Sequence, residues 1–168
     1  MLLRVQKEMS DLYVIVLTRV VSPSLGDHVF PLHRYEWVEH GEGKGTVLWG
    51  PINEWDTSSV QDMQRSFSAT RNSNGDSCGG CSTCCMTKAT FFNADVSAWI
   101  TSAVTDMAFL FQDAQAFTSP LGKWDVGQVT NMYRTFHTAG LWNGDISKWN
   151  VAKVRRMTEQ LCVCNVCV

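Results

Sequence analysis

Four cysteines fall within eight residues of the stretch "GDSCGGCSTCC" (75–85): Cys78, Cys81, Cys84 and Cys85. Cys78-x-x-Cys81 and Cys81-x-x-Cys84 have the spacing with which two thiolates grip one zinc ion, which prefers four such ligands in a tetrahedron. The remaining ligands would come from Cys84 and Cys85, or from Cys162, Cys164 and Cys167 near the C-terminus. Structural zinc sites usually set their ligand pairs farther apart than this. Pairing of Cys78 or Cys81 with Cys84 or Cys85 as disulfides accounts for the cluster equally well, and free thiols in a loop are a third account. A redox Cys-x-x-Cys opens a helix of a thioredoxin-like unit, and no such unit is legible here. The chain has seven cysteines, so at least one is free or pairs outside the chain.

Other chemistry is thinner. His28, His33 and His40 share a Pro- and Gly-rich region with Asp27, Glu36, Glu39 and Glu42, types that can assemble a metal or acid–base site. Their spacing has no helical pattern, and solvated loop residues explain them. His137 follows Phe136 and reads as a surface residue. "NSNGDS" (72–77) has the alternating oxygen side chains of a calcium loop, but Thr83 stands where the closing bidentate carboxylate belongs. No nucleophile elbow, phosphate loop or paired-carboxylate motif is readable. The expectation is a protein without catalytic residues, resident metal or cofactor.

What would position such groups is set by the rest of the chain. Its 168 residues are 45% hydrophobic and 18% charged with net charge −2, the composition of one globular domain. Phosphate binding needs a concentrated basic face, so nucleic acid is not expected as a partner. No apolar run is long enough to span a membrane. "LYVIVL" (12–17) is too short for a signal peptide, and none is read.

An internal repeat organises the second half. Trp55, Trp99, Trp124 and Trp149 align it, the last three spaced by 25 residues. Five residues after each stand Val60, Val104, Val129 and Val154; eight after, Met63, Met107, Met132 and Met157. Twelve after come Phe67, Phe111, Phe136 and then Leu161. Three before stand Ile52, Val96, Leu121 and Ile146, and seven before the last three, Phe92, Phe117 and Trp142. Apolar columns in such register read as a core ladder through stacked repeats. The step from Trp55 to Trp99 carries 19 extra residues, which places an insertion at about 71–89 containing the cysteine cluster.

Val, Met and Phe at offsets 5, 8 and 12 match one face of a short helix, with Thr105 and Thr130 placed to cap it. Trp124-Asp125-Val126 alternates as a short strand does. Asn93, Asp95, Asn143, Gly144 and Asp145 supply turn chemistry. The expected fold is therefore an α+β repeat solenoid, each coil a short strand, a turn and a short helix.

"FNADVSAWITSAVTDMAFLF", "KWDVGQVTNMYRTF" and "LWNGDISKWNVAKVRRM" resemble the BspA-like repeat family, the leucine-rich-repeat-related, mycoplasma-lipoprotein type of surface repeat also abundant in microalgae. "WGPINEWDTSSVQDM" (49–63) resembles the start of such arrays, so the likeness covers about residues 49–161. It implies leucine-rich-repeat-like coils at a cell surface, a role in adhesion or interaction, and no catalytic residues. Ile100 departs from the usual Asp, "TSPLGKW" (118–124) from the usual turn, and Leu161 from Phe.

Three segments follow. Residues 1–48 would hold an amphipathic helix with Leu2, Val5, Met9, Leu12 and Val16 on one face, capping the array, and an irregular loop. Residues 49–161 form four coils, and 162–168 a Cys-rich tail. The function expected is a structural or protein-interaction module that binds another protein or a cell-surface polymer, with membership of a larger assembly left open. A carbohydrate-binding module using Trp37 and Trp49 as exposed aromatics is the alternative. A zinc or redox protein centred on the cysteines comes last.

Overall fold

The computed structural model of the chain describes Trp37, Val38, Thr46 and residues 50–72, 76–79 and 85–157. The expected N-terminal helix, Trp49, Leu161 and the Cys-rich tail lie outside the described residues.

Within each repeat the backbone turns repeatedly through four-residue turns closed by an N–H bonding back to the carbonyl three residues earlier. Trp99 N–H reaches Val96 O, Val104 reaches Thr101, Leu110 reaches Met107, Ala114 reaches Phe111 and Phe117 reaches Ala114. Asp side chains sharpen several corners by accepting the N–H two residues on. Asp56 takes that of Ser58, Asp95 that of Ser97, Asp106 that of Ala108 and Asp125 that of Gly127. Short polar side chains do this well because their oxygen reaches the local backbone.

The coils then stack in parallel. Bridges join Asp62 to Asp106, Asp106 to Asn131 and Asn131 to Arg156, one residue per coil. Met63, Arg65, Phe67 and Ala69 donate their N–H groups to Asp106, Ala108, Leu110 and Gln112 of the following coil. Met107, Phe109, Phe111 and Asp113 donate in the same way to Asn131, Tyr133, Thr135 and His137.

This arrangement overturns the expected α+β coil of strand, turn and short helix. Among the described residues there is no helix of seven or more residues and no sheet; residues 50–157 carry isolated bridges and two 3-10 helices, Ile52–Glu54 and Thr87–Phe91. The reason is visible in the alternation. Every second N–H crosses to the next coil, and those between close local turns, so none is left for an i→i−4 helix bond. Arg65, Phe109 and Arg134, at equivalent positions in the middle of the expected helix, have φ of 52°, 59° and 54°. A residue in the left-handed region ends any right-handed helix. Thr105 and Thr130 are not helix caps: their hydroxyls donate to Gln61 O and Thr105 O of the coil before. Trp124-Asp125-Val126 lies between two turns, Leu121–Trp124 and Val126–Val129, and is not a strand.

The core consists of aromatic files along the stack. Trp55, Trp99 and Trp124 stack at 6.2 and 6.3 Å between ring centroids. Phe67, Phe111 and Phe136 stack at 5.7 Å per step, and Phe92 and Phe117 form a file beside them at 5.9 Å. Offset stacks at such distances suit the ring quadrupole. Each indole N–H reaches back to the coil before: Trp99 to Ile52 O at 2.8 Å, Trp124 to Val96 O at 3.0 Å, Trp149 to Leu121 O at 3.0 Å. Those carbonyls also accept the backbone N–H of their own coil's Trp. Tryptophan is thus wanted at this position for its ring and for its N–H.

Val60, Val104, Val129, Met63, Met107, Met132, Phe67, Phe111 and Phe136 are fully buried, and Trp55, Trp99, Trp124 and Trp149 nearly so. Two ladder residues of the last coil behave differently. Val154 is half-buried, and Met157 is 44% exposed instead of being core, because it lies on the end face of the described stack. Within the departing "TSPLGKW" segment, a Cβ on Gly122 would stand 2.8 Å from the Asp145 carbonyl oxygen of the next coil. Glycine there permits the close approach.

Candidate functional site

The cysteine insertion leaves the stack and returns without disturbing it. Phe111 and Phe117, six residues apart, stack at 4.0 Å; Phe67 and Phe92, separated by the insertion, stack at 4.1 Å. The excursion begins with a tight hairpin in which Arg71 bridges Ser77, Asn72 N–H donates to Asp76 O, and Cys78 N–H to Thr70 O. Asn72 Oδ1 accepts the Asp76 N–H, which commits to the turn one of the oxygens that the calcium reading would need. A disulfide joins Cys78 to Cys85. Cys81 and Cys84 lie outside the described residues, as does Thr83. Among the described residues no group of three or more His, Cys, Asp or Glu side chains is placed to hold a metal ion.

Arg71 is fully buried, and its Nε lies 2.7 Å from Met86 Sδ, while Met86 N–H donates to Arg71 O. This buried guanidinium is a feature that sequence reading missed. Its only signal was its place at the first residue of the insertion.

The histidines do not converge. His28, His33 and His40 lie outside the described residues, and His137 is half-buried, its carbonyl accepting the Asp113 N–H. Carboxylates are committed to the backbone. The side-chain and backbone bonds from Ser58 hold Asp56 below the usual carboxylate range, and those from Ser97 do the same for Asp95. For Asp145 the backbone bond from Ser147 is the leading cause, followed by its side chain. Charged at neutral pH and fixed as acceptors, they serve as turn anchors and not as proton donors.

The lateral surface is laid out in columns, one residue per coil. A ridge runs through the left-handed residues: the Arg65 guanidinium lies 4.1 Å over the Phe109 ring, Phe109 packs edge-on to Tyr133 at 5.2 Å, and Arg134 lies 5.2 Å from the Tyr133 ring. Large side chains where glycine would be easier are held there by these cation–π and edge contacts. Elsewhere Phe91 and Leu141, at the same position two coils apart, are 79% and 66% exposed, and Ile100 is also exposed. The signal for Phe91 and Leu141 was present in the sequence, since each directly precedes a buried ladder aromatic.

Trp37 is not an exposed contact aromatic. It is 5% exposed and packs edge-on against Phe92 at 6.0 Å, because the ladder's first coil offers an apolar face there. No helix among the described residues is long and apolar enough to cross a membrane.

A family model described as "Mycoplasma protein of unknown function, DUF285" matches residues 44–78 and 83–166. The match carries the mycoplasma-type repeat and does not extend to the leucine-rich-repeat kinship. No curated protein and no solved structure matches the chain.

Proposed function

The chain belongs to this DUF285 repeat family, and from that premise we propose that it is a non-enzymatic interaction module presenting an evenly spaced lateral surface to a protein or polymer at a cell surface. One observation carries the reading. The residues able to do chemistry are spent on the stack, with the Asp carboxylates holding turns and the Thr hydroxyls bridging coils, while Phe91, Ile100 and Leu141 are exposed and Arg65, Phe109, Tyr133 and Arg134 form a lateral ridge. A repeated coil gives a long, evenly spaced recognition surface.

The test is binding of the purified chain to intact cells and to a glycan array, comparing the native protein with Phe91→Ser/Leu141→Ser and with Arg65→Ala/Arg134→Ala. Saturable binding to protease-sensitive cell-surface sites, lost in one of these variants, supports a protein partner. Glycan binding lost with Phe91 favours the carbohydrate reading, now resting on Phe91 in place of Trp37. Turnover of any offered substrate by the pure protein would overturn the non-enzymatic reading.

A further inference from the structure

Two of the largest exposed apolar side chains on the flank of the stack share one column. Phe92, Phe117 and Trp142 are buried ladder aromatics, and the residues directly before them are Phe91, Ala116 and Leu141. Bonds between coils fix this register. Ala116 N–H donates to Thr90 O, the Thr118 N–H and hydroxyl both donate to Asn93 Oδ1, and the Trp142 indole N–H donates to Ser119 O. Phe92 and Phe117 stack at 5.9 Å, so Phe91 and Leu141 stand two such steps apart. Phe91 closes the 3-10 helix Thr87–Phe91 and is 79% exposed, which leaves a ring face open. Leu141 is exposed and Ala116 between them half-buried. The column therefore reads large, small, large, with a shallow recess over the alanine.

What borders the column is polar and uncharged. Thr90, Gln115 and Gly140 precede it by one residue, and Asn93, Thr118 and Asn143 follow it by two. The nearest charged residues in this register are Lys88 and Asp113, three before, and Asp95 and Asp145, four after. Asn93 spends its amide oxygen on Thr118. Gln115 and Asn143 are exposed, and among the described residues nothing bonds to their side-chain amides. Each such amide offers both donors and an acceptor in one plane. The ridge on Phe109 and Tyr133 is different, because the Arg65 guanidinium already covers a face of the Phe109 ring.

We infer that this strip binds a neutral glycan, with a sugar ring against Phe91 and in the recess over Ala116. A pyranose has an apolar face of C–H groups, which settles on an aromatic ring, and a belt of hydroxyls that give and take hydrogen bonds. Phe91 and Leu141 supply the apolar contact, and the Gln115 and Asn143 amides meet the hydroxyls on either side. Apolar walls with a few polar groups that fix orientation are the usual make-up of a small-ligand site. An acidic ligand would find no cation in the strip to reward it. An apolar side chain offered by a protein would satisfy the walls but leave the two amides unmatched, which costs free energy when they are covered. Even spacing from coil to coil suits a polymer that itself repeats. The inference rests on the interaction reading above and narrows it, for this strip, to one ligand class.

The full chain is screened on an array of neutral and acidic glycans, and the best neutral oligosaccharide is titrated by calorimetry. Binding to at least one neutral glycan is expected, and it should not change in about 1 M salt, where the Debye length falls to about 3 Å. Phe91→Ala and Gln115→Ala/Asn143→Ala are each expected to weaken it roughly ten-fold or more, and Ala116→Leu to abolish it by filling the recess. Arg65→Ala/Arg134→Ala should leave it unchanged. The substituted residues of the strip lie on the surface, and near-ultraviolet circular dichroism checks that each variant keeps the aromatic stack. Binding only to acidic glycans, lost in high salt, overturns the inference, as does neutral-glycan binding undiminished in both Phe91→Ala and the amide variant. A blank array beside saturable, protease-sensitive binding to cells that Phe91→Ala abolishes overturns it in favour of a protein partner and leaves the interaction reading standing. A dimer in sedimentation velocity that Phe91→Ala dissolves overturns it in favour of a second copy. Failure to bind both cells and array removes the inference and the reading together.

Discussion

A glycine–alanine comparison at Arg134 distinguishes the turn-built coil from a helical one by the sign of its effect. Arg134 has φ of 54°, and the His137 N–H donates to its carbonyl. Comparing Arg134→Gly with Arg134→Ala removes the same guanidinium and the same contact with Tyr133 from both proteins. The difference left is backbone preference. In a helix interior glycine is about 1 kcal/mol worse than alanine. In the left-handed region alanine meets a steric cost of about 1–2 kcal/mol that glycine avoids. Against this, glycine gives up roughly 0.5–1 kcal/mol of unfolded-chain entropy. The structure therefore predicts Arg134→Gly to be more stable than Arg134→Ala by about 0.5–1 kcal/mol. The midpoint of urea unfolding, at constant m-value, reads this directly. The same order is expected at Arg65, whose φ is 52°. If alanine is the more stable at both positions, the left-handed turns are wrong and a helical coil regains its case.

Three further outcomes follow from the geometry. Trp124→Phe keeps an aromatic ring on Trp99 but removes the indole bond to Val96 O; the loss plus the small cavity is expected to cost about 2–3 kcal/mol in denaturant unfolding, and a cost below about 0.5 kcal/mol would deny the N–H its role. Cys78 and Cys85 are seven positions apart, so Cys78→Ser/Cys85→Ser is expected to lose about 2.5 kcal/mol at most and to leave the near-ultraviolet signal of the tryptophan file unchanged; a collapsed signal would mean that the insertion supports the stack. Asp56, Asp95 and Asp145 have folded-state pKa values below their unfolded ones, so the native state binds fewer protons, their contribution is full above the unfolded pKa, and it is lost as pH falls from about 4 through the folded values. Asp95→Asn, followed by urea unfolding between pH 2 and 5 (roughly the window of these carboxylates), is expected to flatten that slope; an unchanged slope would remove the carboxylate from the explanation.

Much of the core was legible because it repeats. Columns of Trp, Val, Met and Phe at fixed offsets can be read without knowing the backbone, since any stacked coil must bury them. The backbone was not legible, for a specific reason. Apolar residues at i, i+3 and i+7 point to one side of a helix, and they also point to one side of a chain that turns every three residues. Only the destination of the N–H groups separates the two, and hydrogen bonds between Phe109 and Tyr133 or Arg65 and Ala108 leave no mark in local spacing. Arginine and phenylalanine at the left-handed position hid it further, where glycine would have signalled a turn. The surface was partly legible: residues beside the ladder aromatics had to face outward, as Phe91 and Leu141 do. Trp37 misled because an aromatic outside the repeat can still close its end. The basic character of the last coil was readable.

The central claim is that alternate amides of each coil bond to the next coil. Scalar coupling across the hydrogen bond, measured by NMR on labelled protein, tests it at Phe109, whose N–H lies 2.8 Å from the Tyr133 carbonyl oxygen. The account predicts a coupling from the Phe109 nitrogen to the Tyr133 carbonyl carbon, and the same from Arg65 to Ala108. A coupling from Phe109 to the carbonyl of Thr105, one helical turn back, would contradict it.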